Sequence, residues 1–425
     1  MILDKLHLTH YRGALDLSLV FDEKLNVFCG INGAGKSTVL DALAIMLSWA
    51  VNRIRHVNAP GRPIDENDIT NSESWSSIQL SCLNGSDAVA WRLMKNRVGH
   101  GPSDGVKSNF GYLNGYVRDL QVQIAESAEQ TNIPLFVYYP VNRAVLDIPL
   151  RIRKKHPLTL LTAYDDALTS GANFRIFFEW FREREDLENE YRKYQDDAIK
   201  PDGYQFPDVQ LEAVRSALTQ FMPEFSKLTV RRNPLRMTVE KNGQQLNVNQ
   251  LSDGEKCMIA LIGDLARRLA IANPMRVNPL EGEGIVLIDE VDLHLHPKWQ
   301  RIVVPKLQTV FSRCQFVLST HSPHVIAHVK PESLFLIKQT KDGIFSEKPN
   351  ESYGKNVDRI LEDLMDVATR PDAVNADLQT VFRTIDAGKL NVARDQISSL
   401  KNLIGDDPDL VKAEVLIRRK EIIGK

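Results

Sequence analysis

The chain has 425 residues, of which 43% are hydrophobic and 25% charged, and this composition excludes a disordered polypeptide. The length exceeds one ordinary core and falls short of several large domains, so one large core with one or two attached lobes is expected. Lys and Arg total 53 against 55 Asp and Glu, a formal charge of -2; this balance neither points to nucleic acid nor excludes local basic clusters that bind phosphate.

In chain order, Leu6, Leu8, Leu15, Leu17, Leu19, Phe21, Leu25 and Val27 follow a period of two, which predicts strands with a turn near Arg12-Gly13-Ala14. A glycine-rich stretch from Gly30 to Gly35 then leads into a helix expected over residues 38–49. Residues 52–115, rich in Asn, Gly, Ser, Pro and Asp, contain strand-like pieces at 77–82 and 88–94 and read as a β-lobe with loops. Residues 135–141 form a compact apolar strand. Phe177, Trp180, Leu187, Tyr191, Tyr194 and Ala198, and then Leu211, Val214, Leu218, Phe221 and Phe225, recur at helical spacing on either side of Pro201, Gly203 and Pro207. They predict a two-helix hairpin lobe, far too short for a long coiled-coil arm. Strands over 227–246 turn at Lys241-Asn242-Gly243, a helix follows over 254–272, and apolar strands are expected at 284–289 and 316–319. After Lys341 the chain reads as mostly helical and polar. The resulting division is 1–150, 151–230, 231–345 and 346–425.

Cys29, Cys82, Cys257 and Cys314 are far apart and form no CxxC pair, which fits a reducing cytosol better than a disulfide framework or zinc site. The first residues place a charge and a histidine inside the apolar stretch, unlike a signal peptide. No run of about 18 apolar residues occurs. A cytoplasmic protein away from the membrane is expected.

Four strings carry the chemistry. Gly30-Ile31-Asn32-Gly33-Ala34-Gly35-Lys36-Ser37-Thr38 follows a strand and opens a helix, as a phosphate-binding P-loop must. Its backbone N–H groups can wrap phosphates, Lys36 can neutralise the β- and γ-phosphates, and the Ser37 hydroxyl can coordinate Mg²⁺. Ile285-Val286-Leu287-Ile288-Asp289-Glu290 ends an apolar strand in two acids: Asp289 suits a Mg²⁺ shell and Glu290 can polarise an attacking water. Leu251-Ser252-Asp253-Gly254-Glu255 offers a hydroxyl and bare N–H groups at a helix start; taken alone it is an ordinary helix cap. Ser319-Thr320-His321-Ser322-Pro323 places a histidine just past a strand end, where it can bond a γ-phosphate; the bland alternative is a capping turn.

In this order the four strings resemble the ABC/SMC/RecF-like ATPases, and Leu8-Thr9-His10-Tyr11-Arg12-Gly13 resembles the RecF/SMC/OLD subgroup rather than transporters. The resemblance covers residues 1–50 and 246–340 well and the middle loosely. It implies an α/β P-loop NTPase of ABC/SMC head type with a β-lobe, a short inserted helical hairpin lobe and a helical C-terminus. It further implies ATP and Mg²⁺ as cofactors, with Asn32, Gly33, Gly35, Lys36, Ser37, Thr38 and Arg12 on the nucleotide, Ser37 and Asp289 on the metal, and Glu290 and His321 as catalytic groups. Ser252 and Gly254 would face the same nucleotide from a second subunit, with Asp292 as the D-loop residue, which makes the protein a homodimer. Two departures stand out. The signature reads LSDGE rather than LSGGQ, and no Q-loop glutamine is evident; Asn142, beside Arg143, is the candidate amide.

Three further features compete with bland readings. His294, His296 and Asp292 suggest a metal site but lack a fourth ligand. Asp406-Asp407-Pro408-Asp409 resembles a Toprim acid pair, yet too little chain follows it for a sheet, and Asp409 reads as the cap of a helix over 410–423. Arg151-Ile152-Arg153-Lys154-Lys155-His156 is solvated surface or a nucleic-acid phosphate contact. The size, the short helical lobe, Tyr138-Tyr139-Pro140-Val141-Asn142-Arg143 and the tail near Asn375-Ala376-Asp377-Leu378 resemble the ATPase subunit of Septu antiviral systems, including those attached to retrons. That resemblance implies regulation of an HNH-type nuclease partner and, in a retron, a reverse transcriptase with its DNA–RNA product. The alternative is a RecF-like DNA-repair ATPase acting directly on DNA; a transporter ATPase fits poorly. Leu390, Val392, Ile397, Leu400 and Leu403 predict a helical pair in the C-terminal region, which either docks a partner or covers the core.

Overall fold

The structure is a computed structural model that describes residues 1–100, 106–127, 130–141, 159–169, 174–196, 200, 204–341 and 343–423. Asn142, Arg143 and the basic run at 151–156 lie outside the described residues. The chain divides into two compact units, Met1–Val357 and Asp358–Lys425.

The first unit is built on three sheets. Strands β1 (Ile2–Tyr11), β2 (Ala14–Val20), β4 (Trp75–Asn84) and β5 (Asp87–Asn96) form an antiparallel sheet in the order β2-β1-β4-β5. One face is buried through Leu6, Leu8, Leu17, Leu19, Ile78, Leu80, Val89 and Trp91. The other face is polar, which is why period-two alternation revealed these strands. The central sheet runs β13-β12-β3-β11-β10-β6, with β3 at Leu25–Cys29, β6 at Leu135–Tyr139, β10 at Gly284–Ile288, β11 at Cys314–Thr320, β12 at Leu334–Thr340 and β13 at Gly343–Glu347. Its five strands from β12 to β6 are parallel, and only β13 joins antiparallel. Strands β3, β6, β10 and β11 are buried at every position, the continuous apolar signature of a sheet covered on both faces.

Helices α1 (Lys36–Arg55) and α5 (Asp253–Ala272) pack on this sheet. Helix α2 (Gly111–Glu126) lies against α1 and β5. Helices α3 (Phe174–Arg192) and α4 (Val209–Phe221) both pack on α5, where the Phe177 ring lies so close to Gly263 that a Cβ there would approach its edge to 2.7 Å. The expected hairpin is thus fastened along α5. Strands β7 (Phe225–Arg232), β8 (Leu235–Lys241) and β9 (Gln244–Asn247) make the third sheet. Its β8–β9 turn places Asn242 and Gly243 at φ 49 and 80, the left-handed pair a two-residue hairpin needs.

Several expectations are corrected. The segment after Lys341 is mostly helical, as expected, but it opens with β13, which extends the central sheet, and Ile344 N–H donates to the Gly13 carbonyl at 2.9 Å. In the second unit, α10 (Asp372–Asp386), α11 (Leu390–Ile404) and α12 (Pro408–Ile423) share a core of Leu378, Val381, Ile385, Ala393, Ile397, Leu400, Leu410, Ala413 and Ile417. This is a three-helix arrangement rather than a pair. Val392 and Leu403 are 51% and 72% exposed because Ala393, not Val392, lies on the inward face. Helix α12 starts at Pro408, and its cap is Asp407, which accepts the Asp409 N–H at 2.9 Å. Asp409 instead pairs with Arg370 at 2.8 Å.

Candidate functional site

The site forms at the carboxyl edge of the parallel strands, where ligands bind in open α/β sheets. Strand β11 lies between β3 and β10, with Thr320 opposite Cys29 and Leu318 opposite Ile288. Three strings far apart in sequence therefore end side by side: the glycine-rich loop after β3, Asp289-Glu290 after β10, and Thr320-His321-Ser322 at the end of β11.

The glycine-rich loop depends on its glycines at two positions. A Cβ at Gly30 would stand 2.3 Å from the Ile337 carbonyl oxygen, and one at Gly35 would stand 2.4 Å from Ile344 Cδ1. Both residues also hold positive φ, 150 and 107. Gly35 is the N-cap of α1 without any side-chain cap, and the first turn carries no acid. A twenty-residue helix thus presents its N-terminal N–H groups to an anion. Asn32, Gly33 and Ser37 are exposed on this loop, and Thr38 is half-buried. Lys36 is only 5% exposed; its Nζ donates to the carbonyls of Gly30 at 3.0 Å and Ile31 at 3.1 Å and lies 3.5 Å from His321 Nδ1.

Asp289 is buried, and the Ser319 hydroxyl donates to its Oδ1. The same Ser319 oxygen accepts the Glu290 N–H at 2.7 Å, and the Ser319 carbonyl accepts that of Val291 at 2.9 Å. These bonds hold Glu290 at a φ of 47, an uncommon backbone region for a residue other than glycine. Burial lowers the Lys36 pKa, and the negative charges of Asp289, Glu290 and Asp292 oppose that shift. Burial, and then the Lys36 ammonium, lower the His321 pKa below its ordinary value against the same three carboxylates. The lowered pKa favours the neutral imidazole. Lys36, Asp289, Glu290, Asp292 and His321 form one electrostatic group. The glycine cradle, uncapped helix and buried lysine fit a nucleotide triphosphate, and a buried carboxylate with a hydroxyl across the site fits Mg²⁺.

Ser252 caps α5 in a capping box: its Oγ accepts the Glu255 N–H at 3.4 Å, and Glu255 Oε2 accepts the Ser252 N–H at 2.9 Å. Gly254 has a reason the sequence did not show, since a Cβ there would be 2.4 Å from the His294 carbonyl oxygen. Arg12 is engaged by carboxylates; it pairs with Asp41 of α1 and donates through Nε to Asp68 at 2.9 Å, while Arg62 shares Asp41 at 3.0 Å. Asp292 accepts the Thr320 hydroxyl at 2.5 Å. His296 caps a short helix by accepting the Lys298 N–H at 3.2 Å, and His294 sits at a φ of 62, so this string is a turn rather than a strand face. Asp41 and Gln300 were not singled out from the sequence, and Ser319 stood in its string without a role of its own. Only their distant partners give them a role, and sequence spacing does not report those partners.

Residues 1–83 match the family described as "AAA ATPase domain", and residues 107–327 match the one described as "AAA domain, putative AbiEii toxin, Type IV TA system". The chain is 32% identical to "Retron Ec83 probable ATPase" of Escherichia coli over 424 residues, covering 86% of this chain and 76% of that protein. It is 24% identical to the "Septu protein PtuA" of Bacillus thuringiensis, covering 86% of this chain and 84% of that protein. Among solved structures, the SMC head domain from Thermotoga maritima aligns at a TM-score of 0.45 and 14% identity, over 83% of this chain and 100% of that one. The chain belongs to the family of AAA-domain proteins that includes the retron Ec83 probable ATPase, and it is similar to Septu PtuA.

Proposed function

We propose that this protein binds and hydrolyses ATP with Mg²⁺, dimerises around the nucleotide, and regulates an HNH-type nuclease in retron or Septu defence. The observation that carries this reading is the gathering of Lys36, Asp289, Glu290 and His321 at one strand edge beside the uncapped start of α1. Lys36 leaves its own loop carbonyls to neutralise the β- and γ-phosphates, while the backbone from Asn32 to Thr38 wraps them. Ser37 and Asp289 would hold Mg²⁺, which supplies charge neutralisation on the phosphates. Glu290 orients a water and takes its proton as the water oxygen bonds to the γ-phosphorus and the bond to the bridging oxygen breaks. Neutral His321 donates to a γ-phosphate oxygen. Ser252 and Gly254 of a second copy close the site, with Asp292 at the same junction. Arg12 reaches the nucleotide only by leaving Asp41 or Asp68, and Asn142 supplies the amide that a Q-loop glutamine would. The C-terminal region, residues 346–425, is assigned to partner docking.

The test is a tagged pull-down from the native host, with mass spectrometry for proteins and sequencing for nucleic acid. Recovery of a small HNH protein, with or without a reverse transcriptase and its DNA–RNA product, supports the reading. Recovery of a lone dimer, or of repair proteins and chromosomal DNA, replaces it with the RecF-like alternative.

A further inference from the structure

Gln300 lies outside the residues assigned above, yet it joins two of their loops. It ends the short helix α6 (Pro297–Gln300). Its Nε2 donates to the carbonyl of Leu295 at 2.9 Å and approaches that of Asp292 at 3.5 Å, closing the loop that follows Glu290. Its Oε1 accepts the Ser322 hydroxyl at 2.8 Å. Ser322 follows His321, and its N–H donates to Thr320 Oγ1 at 2.9 Å, while Thr320 donates to Asp292 at 2.5 Å. A closed ring of hydrogen bonds therefore runs Asp292, Thr320, Ser322, Gln300 and back to the Asp292 loop. Thr320 and Ser322 are 0% and 5% exposed, so water competes weakly for these bonds.

The far side of the same loop carries the second observation. The His294 carbonyl, inside the ring's loop, is the atom against which Gly254 packs without room for a Cβ. The His321 turn is thus linked through bonded side chains to the loop, and the loop packs closely against Gly254.

We propose that Gln300 is a positioning residue that locks the His321 turn to the 291–296 loop, so that the His321 turn and Gly254 shift as one body. This rests on the composite-site reading: His321 then addresses the nucleotide bound to its own P-loop, and Gly254 the nucleotide on the partner copy. Gln300 thereby makes hydrolysis at one site depend on the state of the other. The tie needs a donor toward Leu295 and an acceptor for Ser322, and the two ends of the Gln300 amide supply them.

The experiment mixes wild-type and Glu290→Gln subunits of the full chain in varied ratio and reads steady-state ATPase activity. Coupled sites make activity fall below the straight line expected for independent sites, toward the square of the active fraction. The series is repeated with Gln300→Leu in both subunits, each curve normalised to its own all-active protein. Gln300→Glu, which keeps the size and the acceptor but loses the donor, forms a second series. Melting temperatures confirm that both variants fold, and light scattering with ATP reports dimerisation. The expected result is a curved wild-type series and straight series for both Gln300 variants. Curves of the same shape in all three series, whether all straight or all bent, overturn the role of Gln300. Absence of an ATP-dependent dimer in the wild type overturns the composite-site reading instead.

Discussion

Tyr139 and Asp264 are joined by a buried 3.0 Å hydrogen bond from the phenol to the carboxylate, and the backbone carbonyl of the same tyrosine accepts the Asp289 N–H at 2.9 Å. One residue at the end of β6 thus ties helix α5 to the residue that follows strand β10. Asp264 also receives Arg267 and Arg268, each at 2.7 Å, and Arg268 Nη1 donates to the carbonyls of Ala163 and Asp165 at 2.8 Å. Removing the carboxylate leaves two buried guanidiniums without their counter-charge. Asp264→Asn is expected to destabilise the first unit by about 3–5 kcal/mol. A denaturant titration checks this; a loss below about 1 kcal/mol would refute the role given to this cluster.

The same carboxylate sets an acid limit. Burial pushes Asp264 up, but Arg268 and Arg267 beside it outweigh that and hold it at about 2, below the ordinary 3.8. The folded pKa is depressed, so the unfolded chain binds the proton first as pH falls. The stabilisation is present above pH 3.8 and is lost as pH falls from there toward 2. Unfolding midpoints measured across that window should show a steeper fall for the wild type than for Asp264→Asn.

Lys36→Ala removes the buried ammonium and should abolish ATP hydrolysis; normal turnover would refute the P-loop assignment. Glu290→Gln should retain ATP binding, hydrolyse at least a hundredfold more slowly on the scale of general-base loss, and accumulate as an ATP-bound dimer in size-exclusion chromatography. Wild-type turnover in that variant would remove Glu290 as the base.

At most exposed helical positions, replacing Gly with Ala stabilises by about 0.4–1 kcal/mol. At Gly254 the new methyl would meet the His294 carbonyl oxygen at 2.4 Å. Gly254→Ala should therefore lower stability, by about 1–3 kcal/mol on the scale of an overpacked site. A melting temperature at or above wild type would show that the contact yields freely.

The strings of the candidate site were legible in the sequence because each is local: a glycine loop between strand and helix, an apolar run ending in two acids, a serine cap with its glutamate three residues on. The alternation in β1, β2, β4 and β5 was legible because one face of that sheet is buried and the other is not. Helix α2 was hidden. Its buried residues Leu113, Val117 and Leu120 are few, and Gly111 and Gly115 gave it the look of a loop. Strand β12 offered only a four-residue apolar run, Leu334 to Ile337, with no alternation to mark it. The engagement of Arg12 by Asp41 and Asp68, and the double tie of Gln300, join residues that local spacing cannot relate.

Strand β3 carries the P-loop, yet its two neighbours, β11 and β12, come from the far end of the first unit. A ribosome adding about 5–20 residues per second needs roughly 15 to 60 s to pass from Cys29 to Cys314. Throughout that interval the phosphate-binding loop hangs from an apolar strand with both edges unpaired, open to chaperones and to aggregation. Competence to hold a nucleotide therefore arrives late in synthesis, and a nascent chain stopped before Thr340 cannot complete the setting of its P-loop.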